Sequence, residues 1–290
     1  MAKRPDVPVN HRLWLELFAL VNLLGLAPDI FLAHSTNSFR EWTEYVPLVF
    51  SIIAPGLLFV AIVALEFRAR VGLWRWLGGG LGWASISIGV VGLILHLDSR
   101  FFQERTLDSL VYAAPFAAPL AYTGIGLLLV MNRMVDHWSE EWPGWVLLLA
   151  LIGFAGNFVF SVTDHAQNGF FHWTEWIPVV SSALAVGFLT APLVAEVGRP
   201  FLAVCAILLL LQAAVGLLGF YFHVVADLAG PAPTLFDNIV FGAPILAPLL
   251  FPNLVVLAFL GLYVRNRQMP PAPRGSVDAT PARQPQGDRH

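Results

Sequence analysis

Four histidines and four carboxylates recur at matched positions along this chain, and together they form a donor set for a transition-metal ion. His34, His96, His165 and His223 each close an apolar run, while Glu44, Asp108, Glu175 and Asp237 each open the next. Neutral imidazole and carboxylate suit iron, copper, zinc or manganese. The only cysteine, Cys205, lies inside an apolar run, so disulfides and thiolate metal sites are excluded. His172, Asn37 and Asn168 are further candidate donors in the same segments.

The matched spacing comes from an internal repeat. Residues 34–47 (HSTNSFREWTEYVP) align without a gap to residues 165–178 (HAQNGFFHWTEWIP), with His, Asn, Phe, Trp, Thr, Glu and Pro shared. The later hairpins correspond as well: Gly89, Gly92 and His96 match Gly216, Gly219 and His223, and Asp108, Pro115 and Pro119 match Asp237, Pro244 and Pro248. Several of these residues also have a structural explanation. An Asp that opens a helix caps its free N–H groups, which applies to Asp108 and Asp237. It applies less well to Glu44 and Glu175, because Thr43 and Thr174 precede them. An interfacial His can bond headgroups or loop carbonyls, yet four in register, each with a carboxylate, are harder to explain so. Trp42 and Trp173 fit a membrane-interface belt. The Gly pairs serve close helix packing, or alternatively leave room for a flat macrocycle.

The elements that position these residues follow from composition. The 290-residue chain is 57% hydrophobic and 12% charged, with a mean hydropathy of +0.71. A soluble domain carries roughly 25% charge. Eight apolar runs meet the roughly 20 residues that span a bilayer: 13–33, 45–67, 74–96, 109–131, 143–164, 175–196, 200–226 and 239–264. Their length and lack of alternation exclude a barrel. The expected fold is therefore an all-α integral membrane protein of eight transmembrane helices. It is a tandem duplication of a four-helix unit, at 13–134 and 143–265, related by a pseudo-twofold along the membrane normal. Lys3, Arg4, Arg12, Arg68, Arg70, Arg75, Arg133, Arg199, Arg265 and Arg267 lie at one face, against Arg40, Arg100 and Arg105 at the other. The positive-inside rule then makes both termini cytoplasmic, as in a multi-pass protein of a bacterial inner membrane. Residues 1–12 form a cytoplasmic N-terminal segment, and 268–290, rich in Pro, Arg, Gly and Ala, a disordered cytoplasmic tail.

Placed in that frame, all eight donors fall near the outer boundary, where Glu41, Asp98, Glu104, Asp164 and Asp227 add further negative charge. The leading expectation is a periplasm-facing non-haem centre, holding iron or copper ahead of zinc, in a redox enzyme or electron-transfer component. Its substrate would be membrane-soluble, such as a quinol, lipid or small hydrocarbon, and other membrane subunits are possible partners. The second reading is bis-histidine haem b, pairing His34 with His96 and His165 with His223. In overall plan, with eight helices, a duplicated four-helix unit and four outer histidines, the chain resembles haem A synthase. That resemblance implies haem chemistry but places its histidines on the even helices, so it assigns no residue here. The third reading is a proton- or cation-coupled transporter or channel, or a structural subunit. Prolines in every even run (Pro55, Pro115, Pro119, Pro178, Pro192, Pro244, Pro248 and Pro252) would permit kinks and cavities. Glu16 and Glu66 lie towards the cytoplasmic ends, where an interfacial role suffices. No phosphate loop, nucleophile motif or basic nucleic-acid surface is present.

Overall fold

The computed structural model describes residues 10–67 and 70–269. Nearly all of the expected N-terminal segment and of the C-terminal tail lies outside the described residues. Among the described residues, all regular structure is helical. The first half comprises α1 (His11–Ser35), α2 (Tyr45–Glu66), α3 (Val71–Asp98), α4 (Phe101–Glu104), α5 (Leu107–Val111) and α6 (Leu120–Met134). The second comprises α7 (Glu141–Gln167), α8 (Trp176–Val194), α9 (Arg199–Leu228), α10 (Leu235–Phe241) and α11 (Leu250–Gln268). Short 3-10 turns, Trp42–Glu44 and Trp173–Glu175, lead into α2 and α8, and Ala247–Leu249 leads into α11.

Seven helices are long and apolar enough to cross a membrane, and the shorter apolar helix α6 stands beside them. The expected continuous spans 109–131 and 239–264 are not formed. The first splits into α5, an irregular stretch and α6; the second splits into α10, an irregular stretch and α11 with its leading turn. Proline explains both breaks, since it brings no N–H and its ring clashes with the preceding turn. Pro115 and Pro119 stand in the first break, and Pro244 stands in the second with Pro248 just after it. At about 1.5 Å per residue, a 15-residue helix falls short of a hydrocarbon core about 30 Å thick.

Each half closes into a ring of four: α1 on α2, α2 on α3, α3 on α6 and α6 on α1, then α7 on α8, α8 on α9, α9 on α11 and α11 on α7. Contacts between halves are reciprocal, because α5 touches α7 while α10 touches α1, and α6 meets α7 while α11 meets α1. One core gathers Ala19, Leu23, Ala54, Leu58, Tyr122 and Leu129. The other is centred on Trp142, Leu147, Phe154, Leu189, Leu209 and Ala258. Outward faces carry exposed Ile52, Phe59, Trp83, Ile152, Leu210 and Leu211, as a lipid-facing surface does. Asn22 on α1 and Asn253 on α11 exchange amide hydrogen bonds across the two halves.

Glycine sets how closely the helices approach. A Cβ at Gly126 would stand 2.4 Å from the Gly82 carbonyl oxygen, so α3 and α6 meet backbone to backbone. Gly89 and Gly92 lie against the Pro119 turn, where a Cβ at Gly89 would be 2.7 Å from its carbonyl oxygen. Gly216 meets the Pro248 carbonyl oxygen at 2.6 Å on the same terms, and Gly219 the Pro248 ring. The space that these glycines open is filled by the proline turns.

Glu16 departs from the expected interfacial role. It is 4% exposed and pairs with Arg133, itself 6% exposed, at 2.9 Å. Asn132 donates to the other Glu16 oxygen at 3.1 Å and accepts from the Trp142 indole at 3.2 Å. A Cβ at Gly78 would overlap the Arg133 guanidinium, so that glycine makes the path for the arginine. In an environment of low dielectric a charge persists only when paired in this way.

Two glycines of α6 test this account of packing. Gly126→Ala should lower the unfolding midpoint in detergent by an amount equivalent to about 1–3 kcal/mol, the usual cost of overpacking. Gly124→Ala, with nothing within 4 Å of its would-be Cβ, should be neutral or stabilising by up to about 1 kcal/mol. Equal midpoints for the two variants would contradict the close approach of α3 and α6.

Candidate functional site

Each half builds the same turn after its first helix. In the first, the Phe39 N–H returns to the His34 carbonyl, and Asn37 Oδ1 accepts from the same N–H at 3.2 Å. In the second, Phe170 N–H bonds the His165 carbonyl, and Asn168 Oδ1 accepts from it at 3.0 Å. Ser38 and Phe39, like Gly169 and Phe170, have positive φ, a conformation that the neighbouring Asn side chain helps to hold. The turned Phe ring then lies beside the histidine, with centroids 5.8 Å apart for His34–Phe39 and 6.1 Å for His165–Phe170. Phe39 also packs on Tyr45, and Phe170 stacks on Trp176 at 4.2 Å. Most of the repeated loop residues therefore shape this turn.

The turn brings each glutamate back onto its histidine. His34 Nδ1 and Glu44 Oε2 are 3.8 Å apart, and His165 Nδ1 and Glu175 Oε2 are 3.7 Å apart. Both separations exceed a hydrogen bond. The same two carboxylate oxygens, Glu44 Oε2 and Glu175 Oε2, are buried and have no hydrogen-bond partner. The other oxygens are engaged differently: Asn37 Nδ2 donates to Glu44 Oε1 at 2.7 Å, whereas the His172 backbone N–H reaches Glu175 Oε1 at 3.4 Å. The His172 ring is exposed, and Asn168 contributes only its turn bond to this arrangement.

The second histidine of each half arrives from the third long helix. His96 lies 6.2 Å from His34, ring to ring and nearly perpendicular, and within electrostatic reach of Glu44. His223 is likewise within electrostatic reach of His165. Their Nδ1 atoms face the breaks, with His96 Nδ1–H donating to the Pro115 carbonyl at 2.8 Å and His223 Nδ1–H to the Pro244 carbonyl at 2.9 Å. This tautomer leaves Nε2 as the lone-pair nitrogen. A carbonyl that orients an imidazole from behind is the usual outer partner of a metal-binding histidine.

The two aspartates are not brought to the histidines by any contact. Asp108 follows the Thr106 cap of α5 and lies 3.5 Å from Arg100. Asp237 sits under the Thr234 cap of α10, where its backbone N–H bonds Thr234 Oγ1 and its Oδ2 accepts from that hydroxyl at 2.6 Å. Both stand where a helix N-terminus favours an acid. Among the described residues, no group of three or more His, Cys, Asp or Glu side chains converges closely enough to hold a metal ion.

Sequence reasoning gave no individual role to Asp227. This residue is 3% exposed, and its Oδ1 accepts from the Ala243 N–H at 2.9 Å, one residue before the Pro244 carbonyl that His223 holds. In the first half Ser99 Oγ takes the matching position, facing the Ala114 N–H at 3.3 Å. The spacing of His223 and Asp227, four apart on one helix, was the available clue, because such residues share a face.

No protein-family model, curated protein or solved structure matches the chain.

The hydrogen bonds separate two classes of histidine by stability. His96→Phe and His223→Phe each leave a carbonyl at the break without its donor, which should cost about 1–3 kcal/mol. His34→Phe and His165→Phe remove rings without a hydrogen bond and should change stability by about 0.5 kcal/mol or less. Reversible unfolding in mixed micelles reads the difference, and similar losses for all four variants would refute the distinction.

Proposed function

We propose that the protein is a metal-dependent membrane protein with a His–Glu–His centre in each half, acting on a membrane-soluble substrate. The observation that carries this reading is the pair of unpartnered carboxylate oxygens, Glu44 Oε2 and Glu175 Oε2, each opposite a histidine nitrogen at 3.8 or 3.7 Å. Two ligands bound at about 2.0–2.2 Å to one ion stand roughly 3.4 Å apart at a tetrahedral angle and about 4 Å apart as the angle opens. A gap too long for a hydrogen bond is thus the right width for a cation. His96 and His223 would complete each set through Nε2 by a modest side-chain movement. The donor set suits iron or copper, and zinc or manganese in their place. A redox metal held there would supply one-electron chemistry, its oxidised ion accepting an electron from a substrate such as a quinol drawn from the bilayer.

The same reading treats the chain as a tandem duplication of a four-helix unit, supported by the reciprocal contacts and by the recurrence of the turn, the His–Glu pair and the His–carbonyl bond at matched positions. The broken runs α5–α6 and α10–α11 act as the fourth crossing of each unit, giving eight crossings. The arginine distribution sets both termini in the cytoplasm and the histidine-bearing end outside. Haem b is the weaker alternative, because Pro119 and Pro248 fill the space beside the glycines of α3 and α9.

Metal analysis with an absorption spectrum of the purified protein tests the proposal. The expected result is bound transition metal without a Soret band, lost in large part in the Glu44→Gln, Glu175→Gln double variant. A Soret band, absence of metal, or full occupancy in the double variant would each overturn it.

A further inference from the structure

We propose that the groove between α1 and α11 holds one anionic phospholipid, with an acyl chain along its apolar walls and the phosphate at Arg267. The groove lies at the end of the molecule opposite the histidines, so the metal reading above has no part in it. Trp14 and Phe18, one turn apart on α1, form one wall, and Val256, Leu260 and Tyr263, at successive turns of α11, form the other. They enclose about 320 Å³, within the about 300–1,000 Å³ usual for a ligand site. Asn22 and Asn253, which exchange amide hydrogen bonds, sit one turn further in on the same two helices and clasp them there. The groove therefore runs from that clasp outwards to the helix ends. From Val256 to Arg267 is about 16 Å of helix, roughly half of a hydrocarbon core about 30 Å thick. An occupant of that length belongs to one leaflet and brings its headgroup to the helix ends, as a phospholipid does.

The mouth of the groove carries a cation and neutral donors. Arg267 follows Tyr263 by one turn, and its guanidinium lies over the Tyr263 ring at 5.4 Å. Stacking uses the face of a guanidinium and leaves its N–H edge free to meet a phosphate. Among the described residues, Arg267 forms no ion pair, and neither the Trp14 indole nor the Tyr263 hydroxyl has a hydrogen-bond partner. Glu16, the acid of this part of α1, is spent on Arg133 at 2.9 Å. An anionic headgroup thus meets an uncompensated cation and two neutral donors at the end of an apolar channel. The matched junction of α6 and α7 has no such mouth. Pro119 corresponds to Pro248, so Met134 stands where Tyr263 does, and α6 ends at Met134 whereas α11 continues to Gln268. Leu128 and Met131 of α6 are instead buried in the core with Trp142 and Val146. One site per chain follows.

The test is native mass spectrometry of the delipidated, full-length protein in detergent, offered phosphatidylglycerol and phosphatidylcholine with the same acyl chains. One bound lipid per chain is expected, with phosphatidylglycerol retained about fivefold better, the scale of one arginine at an anionic headgroup. Arg267→Gln should bring the two lipids to parity, while Arg12→Gln, at the same end but on another face of α1, leaves the preference in place. Val256→Trp, at a position 60% exposed, should fill the groove and lower retention of both lipids, with an unchanged unfolding midpoint in the absence of lipid. No saturable lipid, equal retention of the two lipids, a preference that survives Arg267→Gln, or retention untouched by Val256→Trp would each overturn the proposal.

Discussion

A backbone carbonyl or N–H that loses its helical partner must be bonded from elsewhere, and the arrangement at the histidine-bearing end follows from that constraint. Pro115, Pro119, Pro244 and Pro248 interrupt the two runs that ought to close each four-helix ring. Every interruption strands polar backbone groups that must be satisfied from a neighbouring helix. His96 and His223 supply the donors, and Ser99 and Asp227 supply the acceptors. The glycines of α3 and α9 exist on the same account. Gly89, Gly92, Gly216 and Gly219 let the proline turns come near enough for those bonds to form. Break, glycine stripe and histidine are one structural unit, present twice.

Polar groups at the opposite end obey the same rule by another route. Glu16 and Arg133 are both buried, and each finds its charge partner, with Asn132 and Trp142 taking up remaining sites. Gly78 clears the volume that the guanidinium occupies. This network ties α1, α6 and α7 together without a counterpart in the second half, where Leu147 stands at the position matched to Glu16. The two halves thus place different side chains at matched positions within the same ring of four helices.

The sequence read well where one physical variable dominated. Hydropathy located six of the long helices to within a few residues, since burial in lipid depends on run length and little else. It over-read the runs 109–131 and 239–264, because an average over twenty residues does not register that a proline removes an N–H at one place. The turn motif was visible as a repeat but not as a turn. Asn37 and Asn168 read as spare donors, whereas their role in the fold is to hold residues of positive φ. The burial of Glu16 is not legible in the sequence, because its partner Arg133 lies 117 residues away and only folding joins them. Asp227 is not legible from the match between halves, because the residue four positions after His96 is the unlike Arg100.

Repetition within one chain therefore selects two kinds of residue that need separating. Structural duties recur as faithfully as chemical ones, and His96 and His223 are fully accounted for by the carbonyls they hold. Their recurrence alone says nothing about a ligand. Glu44 and Glu175 differ, because each keeps one buried oxygen that no donor meets. Asp227 likewise keeps one oxygen that no donor meets, while the other is spent on the break.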